Sequence, residues 1–338
     1  MFRRRRLFFI ILSVLFSAVF AFLFIGEAKE AENITWGVNF SQKQATYLNP
    51  DWKETYGALL EDLNVKNLKI AAHWDILEPK NQEFFFKDLD WQLNEAERVG
   101  AKILLAIGMK TPRWPECHIP EWANTFTKEE LREEILEMLE TVVLRYKDHE
   151  ALFAWQVENE PLFPFGKCPW RDFSFLQNEV NLVQSLDSEH EVFVSDSGEL
   201  SLWMNAARLG DKVAVTLYKR IWSKELHTFL TTPFPPISYQ RKAWLIEKLF
   251  GKEVIVGELQ AEPWVKEELE NSTFKEQEKT MSLTQLQKNI AFAKNTGLDT
   301  FYLWGAEWWY QMKKIHGREE FWQEAKKLFK TANENPNF

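Results

Sequence analysis

Beyond residue 33 the chain alternates between two hydrophobic patterns. Short apolar runs rich in Val, Ile, Leu and Phe recur at WGVNF (36–40), LKIAA (68–72), KILLAIG (102–108), LFAWQV (152–157), EVFVS (191–195), KVAVTLY (212–218), EVIVGEL (253–259) and DTFYLW (299–304). Each is too short for a helix, and its apolar character predicts a strand covered on both faces of a parallel sheet. Longer amphipathic stretches lie between them at 51–63, 87–99, 127–146, 173–186, 238–250 and 281–295, and these predict helices. Thr127 followed by Glu130 predicts a capping box, and Gly100 a helix stop ahead of the third strand. Strands and helices alternating in this way predict an α/β fold, a (β/α)8 TIM barrel, as one domain over 33–332 with a short tail at 333–338. A doubly wound sheet is the alternative, disfavoured because no Gly-x-Gly-x-x-Gly follows any strand.

The first residues follow a different pattern. Arg3 to Arg6 precede an uncharged run from Leu7 to Ile25, in which Ser13 and Ser17 are the polar residues. As a helix such a run is about 28 Å long, close to bilayer thickness, and it exceeds the apolar region of most cleaved signals. The expectation for 1–28 is therefore a signal anchor or transmembrane helix, with a cleaved signal as the alternative. The basic cluster would stay in the cytoplasm and place the rest outside, membrane-anchored or, after cleavage, secreted.

Composition narrows the function. Aromatics make up 15% of the chain, with 16 Trp and 27 Phe, too many to leave unburied in a disordered protein. A net charge of −9 argues against a nucleic-acid partner. Two cysteines exclude a Cys-based zinc site or a disulfide-dense scaffold, and no two of the six His have ligand spacing. Neither cofactor nor metal is expected, and a monomer is.

In such barrels the chemistry lies at the C-terminal ends of the strands. Those ends carry Asn39; His73 and Trp74; Lys110 and Arg113; Glu158, Asn159 and Glu160; Asp196 and Glu199; Tyr218; Glu258; and Trp304. Acidic, amide and aromatic groups dominate. Glu160 and Glu258, on the fourth and seventh strands, would face each other across the mouth. Paired carboxyls of this kind suit glycoside hydrolysis, one giving a proton to the leaving oxygen and the other attacking the anomeric carbon or activating water. A single Glu at a strand end is more often a salt-bridge partner, so the reading rests on the pair. Glu158 could compete with Glu160 if the strand continues, though one layer deeper, and Glu262 could compete with Glu258. Asp196 and Glu199 read as outer sugar contacts or surface charge. Trp74, Trp114, Trp170, Trp222, Trp264, Trp308 and Trp309 fall on loops at the same mouth, where some would stack on sugar rings and others fill gaps between loops. Cys117 and Cys168 follow adjacent strands, and in an oxidising compartment they are expected to form a disulfide.

Three motifs carry a resemblance. WQVENEP (155–161) resembles the Asn-Glu-Pro signature on the fourth strand of glycoside hydrolase clan A. VIVGELQAEPW (254–264) is similar to that clan's seventh strand, and WDILEPKNQEFFFKDLDWQLNEAERVGAKILLAI (74–107) to the stretch after its second strand in cellulase-like, xylosidase-like and β-galactosidase-like members. The resemblance covers roughly 34–330. It implies retention through a glycosyl-enzyme, with Glu160 as acid/base, Glu258 as nucleophile and a β-linked glycan or oligosaccharide as substrate. It also implies that Asn159 binds the sugar 2-hydroxyl, Tyr218 orients Glu258, Trp304 floors the sugar site, and His73 contacts a hydroxyl or supports the carboxylates. Many members have Arg on the second strand beneath the nucleophile; here the nearest basic residue is Lys69, which lacks the guanidinium fork. A barrel that binds glycan without cleaving it, and a transglycosylase using the same pair, are the alternatives.

Overall fold

The structure is a computed structural model. It describes the chain apart from residues 1, 49–50, 225 and 335–338, and the side chains apart also from 2–8, 16 and 334. Eight parallel strands close into a barrel: β1 (Thr35–Phe40), β2 (Asn67–Ala71), β3 (Lys102–Ile107), β4 (Leu152–Val157), β5 (Glu191–Asp196), β6 (Lys212–Leu217), β9 (Val254–Gln260) and β10 (Thr300–Trp304). They follow sequence order around the barrel, and β10 closes on β1. The fold is the expected (β/α)8 barrel, and each predicted run lies within a residue or two of an observed strand. A small antiparallel hairpin, β7 (Arg220–Ser223) and β8 (Thr228–Thr231), stands outside the barrel in the β6 loop.

Both faces of the barrel sheet are covered, as its uninterrupted apolar runs require. Outward residues such as Val38, Ile70, Ile103, Leu105 and Trp155 pack beneath the helices. Leu104, Ala154, Phe193, Ala214, Ile255 and Tyr302 form a separate cluster that fills the barrel interior. The helix Lys128–Tyr146 opens on the capping box of Thr127 and Glu130, and Gly100 takes φ +66° before β3. The hydrophobic pattern did not single out the helices Gln42–Leu48, Met204–Leu209, Ala306–Lys314 and Glu320–Glu334. The last of these runs into the stretch expected as a tail, whose residues from 335 lie outside the described residues.

The amino-terminal apolar run is helical over Phe2–Phe24. Its carboxyl end rests on the helix Pro236–Phe250: Phe22 meets Trp244 at 5.9 Å between ring centroids, and Arg241 Nη1 donates to Ala21 O at 3.1 Å. Among the described residues no helix is long and apolar enough to cross a membrane. The span expected at 7–25 includes Leu7, Phe8 and Phe16, whose side chains lie outside the described residues.

Candidate active site

β4 ends at Val157, and the chain then turns on residues in left-handed backbone, Glu158 at φ +56° and Glu160 at φ +42°. Strand alternation therefore does not extend to Glu158, and the two glutamates part company. Glu158 Oε1 accepts from the Lys110 N–H at 3.2 Å, tucked against Gly108, where a Cβ would lie 2.8 Å from Glu158 Cγ. Glu160 is held at the mouth. Its N–H donates to Ser195 Oγ at 2.7 Å, and its carbonyl accepts from Lys110 Nζ at 2.7 Å. Thr216 Oγ1 donates to its carboxyl at 3.3 Å.

Glu258 lies within β9, in register with Thr216 of β6, so one hydroxyl stands between the two carboxyl-bearing strands. Lys69 Nζ contacts Glu258 Oε1 at 3.1 Å, and Tyr218 Oη donates to Oε2 at 2.9 Å. Lys69 reaches across the barrel from β2 and is 1% exposed. Gly257 lies beside it, where a Cβ would stand 3.7 Å from its ammonium, in ordinary van der Waals contact. The cation on the second strand is thus present as a single point charge, and it also reaches Asn159 Oδ1 at 3.4 Å. The Glu160 carboxyl is raised well above the usual carboxylate range, first by burial and then by the negative charges of Glu258 and Glu116.

Asn159 adjoins the pair. Its Oδ1 also accepts from Gln156 Nε2 at 3.2 Å, and its Nδ2 donates to Glu116 Oε2 at 3.2 Å. Glu116, in the loop after β3, stands beside the candidate pair through Asn159, and no sequence motif singled it out; an acidic residue beside a cysteine was the only signal. Its carboxyl is pushed up to about 8, chiefly by burial. Tyr218 is braced by Glu199, which accepts its N–H at 2.8 Å and the Tyr239 hydroxyl at 2.7 Å. Glu199 is therefore a support for Tyr218 and not idle surface charge. Trp264 stands edge-on to Tyr218 at 5.1 Å, half-buried at the rim.

Trp304 ends β10 with its Nε1 donating to Glu262 Oε1 at 2.9 Å and one ring face under the Arg113 guanidinium at 4.0 Å. Arg113 pairs with both Glu262 and Glu307, tying the β3 loop to the ends of β9 and β10. Glu262 thus belongs to an ion-pair network under Trp304 and does not rival Glu258.

Two expected sugar contacts are corrected. Trp74 is fully buried, its Nε1 donating to Glu78 Oε2 at 2.8 Å and its ring edge-on to Trp122. It begins the short helix Trp74–Leu77, which turns it into the shell beneath the loops. His73 has both ring nitrogens engaged, by Ser41 Oγ and Thr111 Oγ1 at 3.0 Å each, and it contacts neither Glu160 nor Glu258. Burial holds it well below the usual histidine range. Of the other loop tryptophans, Trp308 and Trp309 are buried, while Trp114 is exposed and Trp170 and Trp222 are half-buried. Cys117 and Cys168 form a disulfide with Cα atoms 5.2 Å apart, joining the β3 and β4 loops. Among the described residues, no group of three or more His, Cys, Asp or Glu is placed to hold a metal ion.

The family model Glyco_hydro_42, described as beta-galactosidase, matches residues 46–236, more than half of the 338. The chain belongs to this glycoside hydrolase family. The matched stretch contains Glu116, Asn159, Glu160 and Tyr218, and Glu258 lies beyond its end. Among curated relatives, the mannan endo-1,4-beta-mannosidase A of Aspergillus aculeatus is 26% identical over 124 residues, 32% of this chain and 31% of that protein. Among solved structures, a β-galactosidase from the Antarctic haloarchaeon Halorubrum lacusprofundi superposes with a TM-score of 0.61 at 14% identity, over 90% of this chain and 59% of that one. Xylanase 10B of Thermotoga maritima gives 0.57 at 14% identity, over 90% and 97%. At these identities the superpositions show a shared fold. The chain spans less than two thirds of the β-galactosidase and matches under a third of the mannosidase.

Proposed function

We propose that this member of the Glyco_hydro_42 family is a retaining glycoside hydrolase acting on a β-linked glycan or oligosaccharide. The observation that carries the reading is the asymmetry of the pair: Glu258 is gripped by a cation and a hydroxyl, whereas burial and nearby negative charge disfavour ionisation of Glu160. Two carboxyls whose surroundings differ in this way divide into acid and nucleophile. In the first step a Glu258 oxygen bonds to the anomeric carbon as the glycosidic bond breaks, and Glu160 passes its proton to the leaving oxygen. In the second step water adds to the anomeric carbon and gives a proton to Glu160, and the bond to Glu258 breaks with retained configuration. Asn159 contacts the 2-hydroxyl, Tyr218 steadies Glu258, and Trp304 and Trp264 line the sugar site. The test incubates the protein with 4-nitrophenyl β-glycosides, including the galactoside and mannoside, and with β-mannan. Glu160→Gln and Glu258→Gln run beside it. Cleavage lost in Glu258→Gln on every substrate, and slowed in Glu160→Gln with the deeper loss where the leaving group is a sugar, supports the reading; glycan binding without cleavage, unchanged by either substitution, overturns it.

We further propose that the amino-terminal helix tethers the barrel to a membrane on the extracytoplasmic side. Arg3 to Arg6 before an uncharged run support this orientation, and a disulfide suits an oxidising compartment. Release of the full chain from membranes by alkaline carbonate, or resistance of the barrel to protease added to intact cells, would refute it.

A further inference from the structure

Glu116 is 4% exposed, and one of its carboxyl oxygens is engaged by the Asn159 amide. The loop holds it firmly. Its N–H donates to Arg113 O at 2.7 Å, and its carbonyl accepts from the Thr111 N–H at 2.9 Å. The next residue is disulfide-bonded to Cys168, and a Cβ on Gly166 would lie 2.5 Å from Glu116 Cβ. Lys110, a cation whose charge acts on it, spends its hydrogen bonds on the carbonyls of Glu160 and Phe163. A buried carboxyl without an ion-pair partner is costly, and here it faces the catalytic pair.

From this geometry we infer that Glu116 is a substrate-contacting residue: with Asn159 it takes the 2- and 3-hydroxyls of the sugar bound between Glu160 and Glu258. The inference rests on the hydrolase reading above. Asn159 Nδ2 has a second N–H for the 2-hydroxyl, and Glu116 Oε2 lies 3.2 Å from that nitrogen, a spacing that vicinal hydroxyls of a pyranose match. Carbon 2 adjoins the anomeric carbon and carbon 3, so the neighbouring hydroxyl is the 3-hydroxyl. Burial keeps the carboxyl protonated at neutral pH, and it can then both donate and accept. The sugar at this position must therefore carry a free 3-hydroxyl, which excludes residues substituted there.

The test compares wild type, Glu116→Ala and Glu116→Gln on whichever 4-nitrophenyl β-glycoside, galactoside or mannoside, wild type cleaves, and on its 3-deoxy analogue. Removing either partner of one hydrogen bond should cost roughly 10- to 100-fold in kcat/KM. Wild type should lose that factor on the 3-deoxy substrate. Glu116→Ala should lose it on the parent substrate and little more on the 3-deoxy one, because the two changes delete the same contact. Glu116→Gln, which keeps a donor and an acceptor, should stay within a few-fold of wild type on the parent. Equal losses for Glu116→Ala on both substrates, or no loss on the parent, would overturn the assignment while leaving the hydrolase reading intact. A wild type that cleaves no aryl β-glycoside would overturn both.

Discussion

Glu258 and Glu160 project into one mouth from contrasting settings. Glu258 is part of a strand paired on both sides, and a lysine from across the barrel meets its carboxyl. Glu160 lies three residues past the end of its strand, on left-handed backbone held by Ser195 and Lys110, and its carboxyl meets one threonine hydroxyl. The Glu258 side is strand-borne and charge-compensated; the Glu160 side is loop-borne and hostile to charge. A nucleophile needs a fixed line of attack, whereas an acid/base must hold a proton and then release it. The disulfide belongs to the second side. It supplies by a covalent bond between the β3 and β4 loops some of the restraint that hydrogen-bonded strands supply at Glu258.

The sharpest way to break this comparison is to neutralise each carboxyl. Glu258→Gln should lower kcat by roughly 10,000-fold on every substrate, because no glycosyl-enzyme forms. Glu160→Gln should lose roughly 100- to 10,000-fold in kcat/KM on a substrate with a sugar leaving group, and much less in kcat/KM on a 4-nitrophenyl glycoside, whose leaving group needs little protonation. Equal losses for the two variants on the aryl substrate, measured by steady-state kinetics, would erase the division of roles.

Stability probes the same contrast less steeply. Lys69→Met strips the cation from buried Glu258 and should destabilise by about 3–5 kcal/mol in urea unfolding. An unchanged midpoint would mean that the nucleophile side does not depend on its ion pair. Replacing both cysteines by serine should cost about 4 kcal/mol in the chain-entropy model, for a bridge spanning 51 residues. Amide exchange should rise in 108–118 and 161–168 and stay unchanged around Glu258; a uniform rise would remove the distinction between the two sides.

The smallest effect is the pH response of Glu116, which faces Lys110, Lys69, Glu160 and Glu258. Its folded carboxyl is raised from 4.5 to about 8, so between those values the folded state holds a proton that the unfolded state has released. Its contribution to stability therefore falls as pH rises. Between pH 5 and 7, wild type should lose about 2 kcal/mol relative to Glu116→Gln, read from urea midpoints at the two pH values. A constant difference would show that Glu116 does not carry this charge penalty.

Much of this was legible in the sequence. Eight apolar runs located the barrel strands because a strand covered on both faces must be apolar throughout. WQVENEP and VIVGELQ placed Glu160 and Glu258 because strand ends open on the barrel mouth. The errors share a cause. His73 and Trp74 stand one and two residues past the pattern that marks β2, and what they touch depends on loops that arrive from elsewhere in the chain. Glu116 was invisible for the same reason. Its meaning comes from Asn159, 43 residues away, and no local pattern reports a contact made across two loops.

The amino-acid sequence by itself determined the barrel, the order of its strands and which two glutamates stand at the mouth on the fourth and seventh of them. These follow from local hydrophobic periodicity and short motifs, which act over a few residues. Only the tertiary structure decided that Lys69 reaches Glu258 across the barrel, that left-handed backbone separates Glu158 from Glu160, and that Glu116 stands beside Asn159. Each of these depends on through-space packing between segments far apart in the chain, which local periodicity and short motifs do not report.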